Sequence, residues 1–486
     1  MLLGDLIDGD VTIAPDAGAL DIKGITSDSR AVGRGFLFAA LPGSTTDGAR
    51  FAGDAAEAGA AAILVGPKVD LPDYPGVAVL RADDVRRALA LIASRFYPRQ
   101  PAHLVAVTGT SGKTSVANFA REIFTAAGHE AASLGTIGIA SRRWSTYGRL
   151  TTPDPVALHE SLDRLAREGV THAALEASSH GLDQRRLDGI RIEAAGFTNL
   201  GRDHMDYHPT VADYLAAKLR LFTTILPEDG TAVIDMDGAH GEDALAAARA
   251  RGAGLVRVGR AGTEVKLLDV EAAGFRQRLR FEGFGKPYDL MLPLAGTFQA
   301  SNALVAAGLA IGAGVDPDTA FGALTRLVGA TGRLELAGRK ANGALVFVDY
   351  AHKPDAIATV LKALRPMTVG RLVIVFGAGG DRDHGKRRLM GEAAAANADA
   401  VFVTDDNPRS ENPAAIRAAI LEGAPDATEI GDRREAIRRA IATLGAGDVL
   451  CVAGKGHETG QIVGSEELPF SDHQVVRSVL AAEEAA

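Results

Sequence analysis

HLVAVTGTSGKTSVANFAREIFTAAG, residues 103–128, runs from an apolar strand through a glycine-rich turn into an amphipathic helix that stops at Gly128. Gly109 and Gly112 let backbone N–H groups approach phosphate oxygens, and the helix N-terminus adds positive potential. Lys113 can reach terminal phosphates, and the Thr114 hydroxyl can ligate Mg²⁺. The usual ligand of such a loop is a nucleoside triphosphate. The strict pattern G-x-x-x-x-G-K-[ST] is not met, because Val107 stands at its first glycine, so only the shorter G-T-S-G-K-T form is present.

Outward from this stretch, AAILVG, HAALEAS, ALVFVDY, RLVIVFG, DAVFVTD and DVLCVAG are further short apolar runs, mostly separated by Ala- and Leu-rich helical text. Runs apolar on both faces belong to strands covered by helices on each side, so the alternation predicts α/β doubly wound sheets. With 486 residues one sheet cannot hold them all. Break points at YPRQPAH (97–103) and VGATGRLELAGRKANG (328–343) divide the chain into three expected domains, 1–98, 99–331 and 332–486. RQRLRF and YDLMLPL, in the 230–295 region, alternate as antiparallel strands do.

Composition excludes several classes. The chain is 47% hydrophobic and 23% charged, and no segment approaches the ~18 continuous apolar residues of a membrane span. The N-terminal text MLLGDLIDGD is acidic and lacks the basic head and apolar run of a secretory signal, so a cytoplasmic location is expected. One cysteine, Cys451, allows no intrachain disulfide and no cysteine-built metal cluster. A net charge of −9 gives no footprint for wrapping nucleic acid.

Ligands of doubly wound sheets sit beyond the carboxyl ends of strands, so polar clusters directly after apolar runs carry the chemistry. HAALEASSHGLDQRR places Glu176, Ser178, His180, Gln184 and Arg186 there, and AAGFTNLGRDHMDYH places Asn199, Asp203, His204 and Asp206. Carboxylate and imidazole could complete a Mg²⁺ site beside the phosphate loop. Four more clusters lie in the third domain: VDYAHKPD with Asp349, His352 and Lys353; FGAGGDRDHGKRR with Arg382, Asp383, Lys386 and Arg387; TDDNPRSENP from Asp405 to Arg409; and AGKGHE with Gly454, Lys455, His457 and Glu458. Together they form an expected binding edge where arginines could fork onto carboxylates and lysines act as point charges.

HPTVADYLAAKLRLF begins with Thr210 and Asp213 at capping-box spacing and sets Tyr214, Leu215, Leu219 and Phe222 on one helical face. Lys218 falls on that same face. It either snorkels to solvent or is buried, and a buried amine driven to neutrality can take up carbon dioxide as a carbamate, an oxygen pair for a metal.

In order along the chain stand TSDSR, GTSGKT, TTPD, LEASSHGLDQRR, TNLGRDHMDYH, AAKLRLF, DYAHKPD, GGDRDHGKRR, DDNPR and GKGHE. With these landmarks nearly the whole sequence resembles the ATP-dependent Mur ligases of peptidoglycan synthesis, whose own phosphate loop has the shortened form. The sequence departs from the family at Arg388, where a proline is common. The resemblance implies an N-terminal UDP-binding α/β domain, a central P-loop-type ATPase domain, and a C-terminal Rossmann-like domain for the incoming amino acid. It implies uridine-nucleotide contacts at Ser27, Ser29, Ser44, Thr45 and Thr46, and muramoyl-peptide contacts at Thr151, Thr152, Ser178, Gln184 and Arg186. ATP would be held by Gly109, Thr110, Ser111, Gly112, Lys113, Thr114 and Ser115, with Asn302, Arg333 and His352 also at the nucleotide. Mg²⁺ ligands would be Thr114, Glu176, His204 and Lys218, the last as N6-carboxylysine, and Lys113, Lys218, His204 and Glu176 would be the catalytic set.

Asp406, Asn407, Pro408 and Arg409 resemble the family's diaminopimelate signature, with Arg382, Gly454 and Glu458 completing that pocket. The implied activity is ATP-dependent addition of meso-2,6-diaminopimelate to UDP-N-acetylmuramoyl-L-alanyl-D-glutamate through an acyl phosphate, with L-lysine or another diamino acid as the alternative. A folylpolyglutamate-type ligase shares the loop but not SHGLDQRR, and a nucleotide switch would release phosphate without an amide. Expected partners are these small molecules alone, acting on a monomer, with domain closure about Thr331–Glu335.

Overall fold

The computed structural model describes residues 1–14, 16–43, 47–146, 148, 150–201 and 203–484. The chain folds into two compact units, Met1–Lys266 with Leu304–Ala323, and Leu267–Ala303 with Leu324–Ala486. Every apolar run singled out in the sequence is a strand, and the parallel sheets they form give the expected α/β class.

The first unit holds two sheets. Gly24–Thr26, Phe36–Ala39, Ala62–Val65 and Ala78–Arg81 pair in that order, all parallel. Helix Val85–Phe96 lays Val85, Ala88, Leu89 and Ile92 against Leu37, Leu64 and Leu80, a period that follows from its apolar spacing. Asp84 caps it by accepting from Arg87 N at 3.0 Å. The second sheet has a parallel run in the order Gly254–Gly259, Thr231–Asp235, Ala194–Phe197, His103–Thr108, His172–Glu176 and Ala131–Gly135. Its central strands are buried on both faces, which explains their unbroken Ala/Val/Leu text. Successive strands fall on either side of His103–Thr108, so the order reverses there and opens a crevice at its carboxyl end. The phosphate loop begins at that end.

In the second unit Leu345–Asp349, Val449–Ala453, Leu372–Phe376, Ala400–Val403 and Thr428–Glu429 form a parallel sheet, with Glu335–Arg339 antiparallel at one edge. Ile357, Leu361, Met390 and Ile416 cover one face, and Ile437, Ile441, Val475 and Val476 cover the other. Val449–Ala453 is last in sequence yet central in space, so all four polar clusters of this unit emerge along one edge. Arg276–Gly283 and Lys286–Leu292 form the expected antiparallel hairpin, and Cys451 is buried within its strand. Among the described residues no helix is long and apolar enough to cross a membrane.

One ion pair ties this unit together. Arg433 and Asp472, both 0% exposed in their side chains, meet through Nε–Oδ1 at 2.8 Å and Nη2–Oδ2 at 2.7 Å. Arg433 Nη2 also donates to Ala453 O at 2.8 Å, joining the starts of two helices to the last strand. A fully desolvated pair is costly to break from one side, so Asp472→Ala is expected to lose about 3–5 kcal/mol in urea unfolding. Replacing both residues by apolar ones of similar volume should cost much less, and an equal loss in single and double variants would contradict this account.

Candidate active site

The loop between His103–Thr108 and helix Lys113–Ala126 is pinned from the neighbouring strand end. Thr110 N donates to Asn199 O at 2.8 Å, Ser111 N to Asn199 Oδ1 at 3.1 Å, and Thr198 Oγ1 to Ser111 O at 2.7 Å. Gly109 has φ +145°, and a Cβ there would lie 1.9 Å from Thr198 Oγ1, so the turn requires glycine. Gly112 opens the helix at φ +90° and carries no capping side chain, so the first helical N–H groups are available to an anion. Lys113 Nζ curls back to Gly109 O at 2.8 Å and Thr110 O at 3.0 Å. Thr114 and Ser115 are buried at the helix start.

Lys218 arrives at this loop from helix Val211–Arg220, whose start carries the capping box between Thr210 and Asp213 read in the sequence. It is buried, 1% exposed, rather than snorkelling. Its Nζ donates to Gly109 O at 2.8 Å and stands 4.5 Å from the centroid of the Tyr214 ring. Burial, and next the neighbouring Lys113 ammonium, push the Lys218 amine well below its ordinary value. Tyr214, itself pushed up to about 12 by burial, shares a hydrogen bond of 3.1 Å with Thr110 Oγ1.

Glu176, at the end of strand His172–Glu176, accepts from Thr114 Oγ1 at 3.0 Å, Thr136 N at 2.8 Å and Thr136 Oγ1 at 3.1 Å. Thr114 and Glu176 are thus side by side. His204, at φ +54° and 44% exposed, packs edge-on against His180 at 4.8 Å. His180 is held down at about 4, by burial first and then by His204 and His208. Among the described residues no three His, Cys, Asp or Glu side chains converge as a metal set. The Thr114–Glu176 pairing nevertheless offers hydroxyl and carboxylate oxygens beside a phosphate loop, donors of the hard kind that suit Mg²⁺.

The residues expected at the muramoyl peptide are linked by hydrogen bonds. Thr152 Oγ1 donates to Glu176 O at 2.8 Å and accepts from Ser178 N and Ser178 Oγ, each at 3.0 Å. Arg186 Nη1 donates to Thr152 O at 2.6 Å and Nη2 to Gln184 Oε1 at 2.7 Å, while Thr151 Oγ1 meets Thr136 Oγ1 at 3.0 Å. A cleft of about 80 Å³ brings Ser27 together with Gln184 and Arg186, and Arg86 and Asp154 also line it. Ser29 starts the short turn Ser29–Ala31 and does not line this cleft. Ser44, Thr45 and Thr46 lie outside the described residues.

The remaining expected residues belong to the second unit. Asn302 is buried on helix Phe298–Gly312 and donates from Nδ2 to Gln299 Oε1 at 3.0 Å. Arg333 stacks over the Tyr350 ring at 4.6 Å. His352 Nδ1 contacts Tyr350 O at 2.8 Å, and burial holds this imidazole at about 4. Across the sheet edge, Gly380 N donates to Asn407 O at 2.9 Å and Arg409 Nη1 to Gly380 O at 2.9 Å, which locks the two expected amino-acid loops together. Asp406 is buried with Oδ2 unpaired among the described residues, Arg382 is exposed nearby in sequence to Gly380, and Asn407 Nδ2 donates to Glu458 Oε2 at 2.9 Å. Gly454, at φ +111°, has no room for a side chain, because a Cβ would lie 2.7 Å from Asp406 Oδ2.

Three residues escaped the sequence reading as site members. Thr136, in LGTIG after a strand, carried the same strand-end signal as Glu176. Arg86 and Asp154 carried none, since they meet only by tertiary packing. Lys455 was read as a point charge, whereas its Nζ bonds Asn407 Oδ1 at 2.9 Å.

Comparison with known proteins assigns the family. The Mur ligase family catalytic domain matches residues 21–97, the Mur ligase middle domain 107–310, and the Mur ligase glutamate ligase domain 332–456. The chain is similar to the UDP-N-acetylmuramoyl-L-alanyl-D-glutamate–2,6-diaminopimelate ligase of Bradyrhizobium diazoefficiens, at 60% identity with 99% of each chain covered. It is also similar to the ligase of that name from Brucella melitensis, at 57% identity over 97% of this chain and 96% of the relative. A solved structure of a ligase of the same name superposes with TM-score 0.73 at 33% identity, covering 100% of this chain and 99% of the other. A folylpolyglutamate synthase from Mycobacterium tuberculosis shares the fold, with TM-score 0.62 at 22% identity over 74% of this chain and 90% of its own. The three family matches and the near-full-length identities place the chain in the Mur ligase family.

Proposed function

We propose that this chain is an ATP-dependent ligase that joins meso-2,6-diaminopimelate to UDP-N-acetylmuramoyl-L-alanyl-D-glutamate in peptidoglycan precursor synthesis, releasing ADP and phosphate. The observation that carries the reading is 60% identity across 99% of the chain with a relative bearing that name.

The chemistry runs in two steps. A carboxylate oxygen of the terminal D-glutamate attacks the γ-phosphorus of ATP, the bond to ADP breaks, and an acyl phosphate forms. The diaminopimelate amine then attacks the acyl carbon, and the tetrahedral intermediate collapses to the amide as phosphate leaves. No protein nucleophile is required, so positioning and charge stabilisation supply the rate. Gly109–Ser115 cradle the triphosphate through backbone N–H groups, and Lys113 swings from its loop carbonyls to the terminal phosphates. Thr151, Thr152, Ser178, Gln184 and Arg186 orient the muramoyl peptide, and Ser27, Ser29 and Ser44–Thr46 hold its uridine nucleotide. Asn302, Arg333 and His352 bind the nucleotide of ATP, with the Tyr350 ring backing Arg333.

Mg²⁺ would be held by Thr114, Glu176, His204 and Lys218 as its carbamate. When bound it neutralises phosphate charge. Lys218 is suited to carbamylation because burial and then the neighbouring Lys113 ammonium lower its amine well below the ordinary value, which favours the neutral form that reacts. The neutral amine adds carbon dioxide and loses one proton, giving a carbamate anion in place of the amine. In the amino-acid pocket Arg409 grips the distal carboxylate that lysine lacks, with Arg382, Asp406, Asn407, Pro408, Gly454 and Glu458 enclosing the second amino-acid head group.

Phosphate release and product mass, measured with ATP, Mg²⁺ and UDP-muramoyl-dipeptide, test the whole reading. Amide product with meso-diaminopimelate and little with L-lysine is expected. Equal use of lysine overturns the specificity, and phosphate without amide overturns the ligase.

Lys218→Ala should lower kcat by roughly 100-fold or more, as loss of a charge-stabilising group does. Bicarbonate should not restore it, whereas a small carboxylate should do so in part. Full activity in this variant would remove the carbamate from the account. Arg409→Ala, which deletes a charged hydrogen-bonding partner, should weaken diaminopimelate use by about 1.5–3 kcal/mol, roughly ten- to hundredfold in kcat/KM, and erase its advantage over lysine. An unchanged preference would move specificity elsewhere in the pocket.

A further inference from the structure

Lys455 follows strand Val449–Ala453, and its side chain is 0% exposed, the most enclosed ammonium of the sheet edge. Its Nζ lies 2.9 Å from Asn407 Oδ1 and 2.9 Å from Glu458 Oε2. Asn407 Oδ1 also accepts from Ile462 N at 2.9 Å, while Asn407 Nδ2 donates to Glu458 Oε2 at 2.9 Å. Two donors on the amide oxygen and a carboxylate on the amide nitrogen leave the Asn407 side chain one orientation. Both donors to Glu458 fall on Oε2, so Oε1 is the oxygen through which this carboxylate, 23% exposed, can address an incoming ammonium.

The backbone around these groups is held by the hairpin Gly460–Val463 and Glu466–Pro469. Gln461 Nε2 donates to Asp406 O at 2.7 Å, Arg409 N to Ile462 O at 3.0 Å, and Gly464 N to Arg409 O at 2.8 Å. Arg409 sits at φ +52°, a conformation a non-glycine residue keeps only where its surroundings impose it. Hairpin and buried ammonium therefore brace the same four-residue segment from two sides.

A buried ion pair is a poor stability device, because desolvation consumes much of its attraction and replacing both partners by apolar residues is often neutral. Without Lys455, Asn407 Oδ1 keeps Ile462 N and Glu458 Oε2 keeps Asn407 Nδ2, so the sheet edge retains its backbone pairing. What is lost is the second partner of Glu458 Oε2, which stops that carboxylate rotating toward solvent. We infer that Lys455 is a positioning residue for amino-acid specificity, fixing Asn407 and Glu458 so that they meet the head group of a diamino dicarboxylic acid. This rests on the reading of that edge as the amino-acid pocket.

The test compares wild type with Lys455→Met, which keeps the volume and removes the charge, and with Lys455→Gln, which can keep the bond to Asn407. Wild type is assayed first, and failure to use meso-diaminopimelate there overturns the functional reading before any variant is made. Given that activity, Lys455→Met should raise KM for diaminopimelate about tenfold or more. KM for ATP and for UDP-muramoyl-dipeptide should stay within about twofold, with Lys455→Gln intermediate in diaminopimelate KM, and because Glu458 is 23% exposed and can turn to water, stability should fall less than in Asp472→Ala. Should the methionine variant not fold, the glutamine variant carries the same comparison. Unchanged diaminopimelate KM in a folded variant, or KM values for ATP and diaminopimelate rising in equal proportion, would overturn the inference and leave Lys455 a structural residue.

Discussion

The carbonyl oxygen of Gly109 accepts from two lysine side chains, Lys113 and Lys218, each at 2.8 Å. Two ammonium groups on one acceptor, one of them buried, cannot both remain charged at low cost. The strain falls on Lys218, the more deeply enclosed, whose amine is pushed toward neutrality. Gly109 can occupy this corner only because it lacks a Cβ, which would strike Thr198. The corner in turn stands where the sheet order reverses, between strands that deliver Glu176 on one side and Thr198–Asn199 on the other. Loop, carboxylate and lysine are consequences of one topological position.

On the proposed reading, the second unit repeats the logic with another ligand chemistry. Its last strand inserts at the sheet centre, so loops distant in sequence share an edge. On that same reading, phosphate is met in the first unit by backbone N–H groups and point charges. An amino acid with two head groups needs directional partners, and the second unit supplies guanidinium, amide and carboxylate groups whose orientation is fixed by buried neighbours. Arg433 paired with Asp472 stabilises that edge from behind, while Lys455 reaches its front.

Much of this was legible in the sequence. The apolar runs identified the strands, since burial on both faces leaves no alternation to misread. The capping box at Thr210 and Asp213 gave the helix start and hence the face on which Lys218 lies. The same window left open whether that lysine was buried, because burial depends on the phosphate loop packing against it. Arg86 and Asp154 stayed hidden because they meet only across helices brought together by the fold, whereas Thr136 stood at a readable strand end. Lys455 was visible as a cation but not as a buried one, since only the fold shows Asn407 and Glu458 closing over it.

The most direct test of the account follows one oxygen atom. UDP-muramoyl-dipeptide labelled with ¹⁸O in its terminal carboxylate is converted with ATP and meso-diaminopimelate, and the released phosphate is analysed by mass. Attack of that carboxylate on the γ-phosphate, followed by expulsion from the acyl carbon, puts one labelled oxygen into the phosphate and leaves the other in the amide. Amide formation with unlabelled phosphate would contradict the acyl-phosphate route and the assignment of the phosphate loop and Lys218 to it.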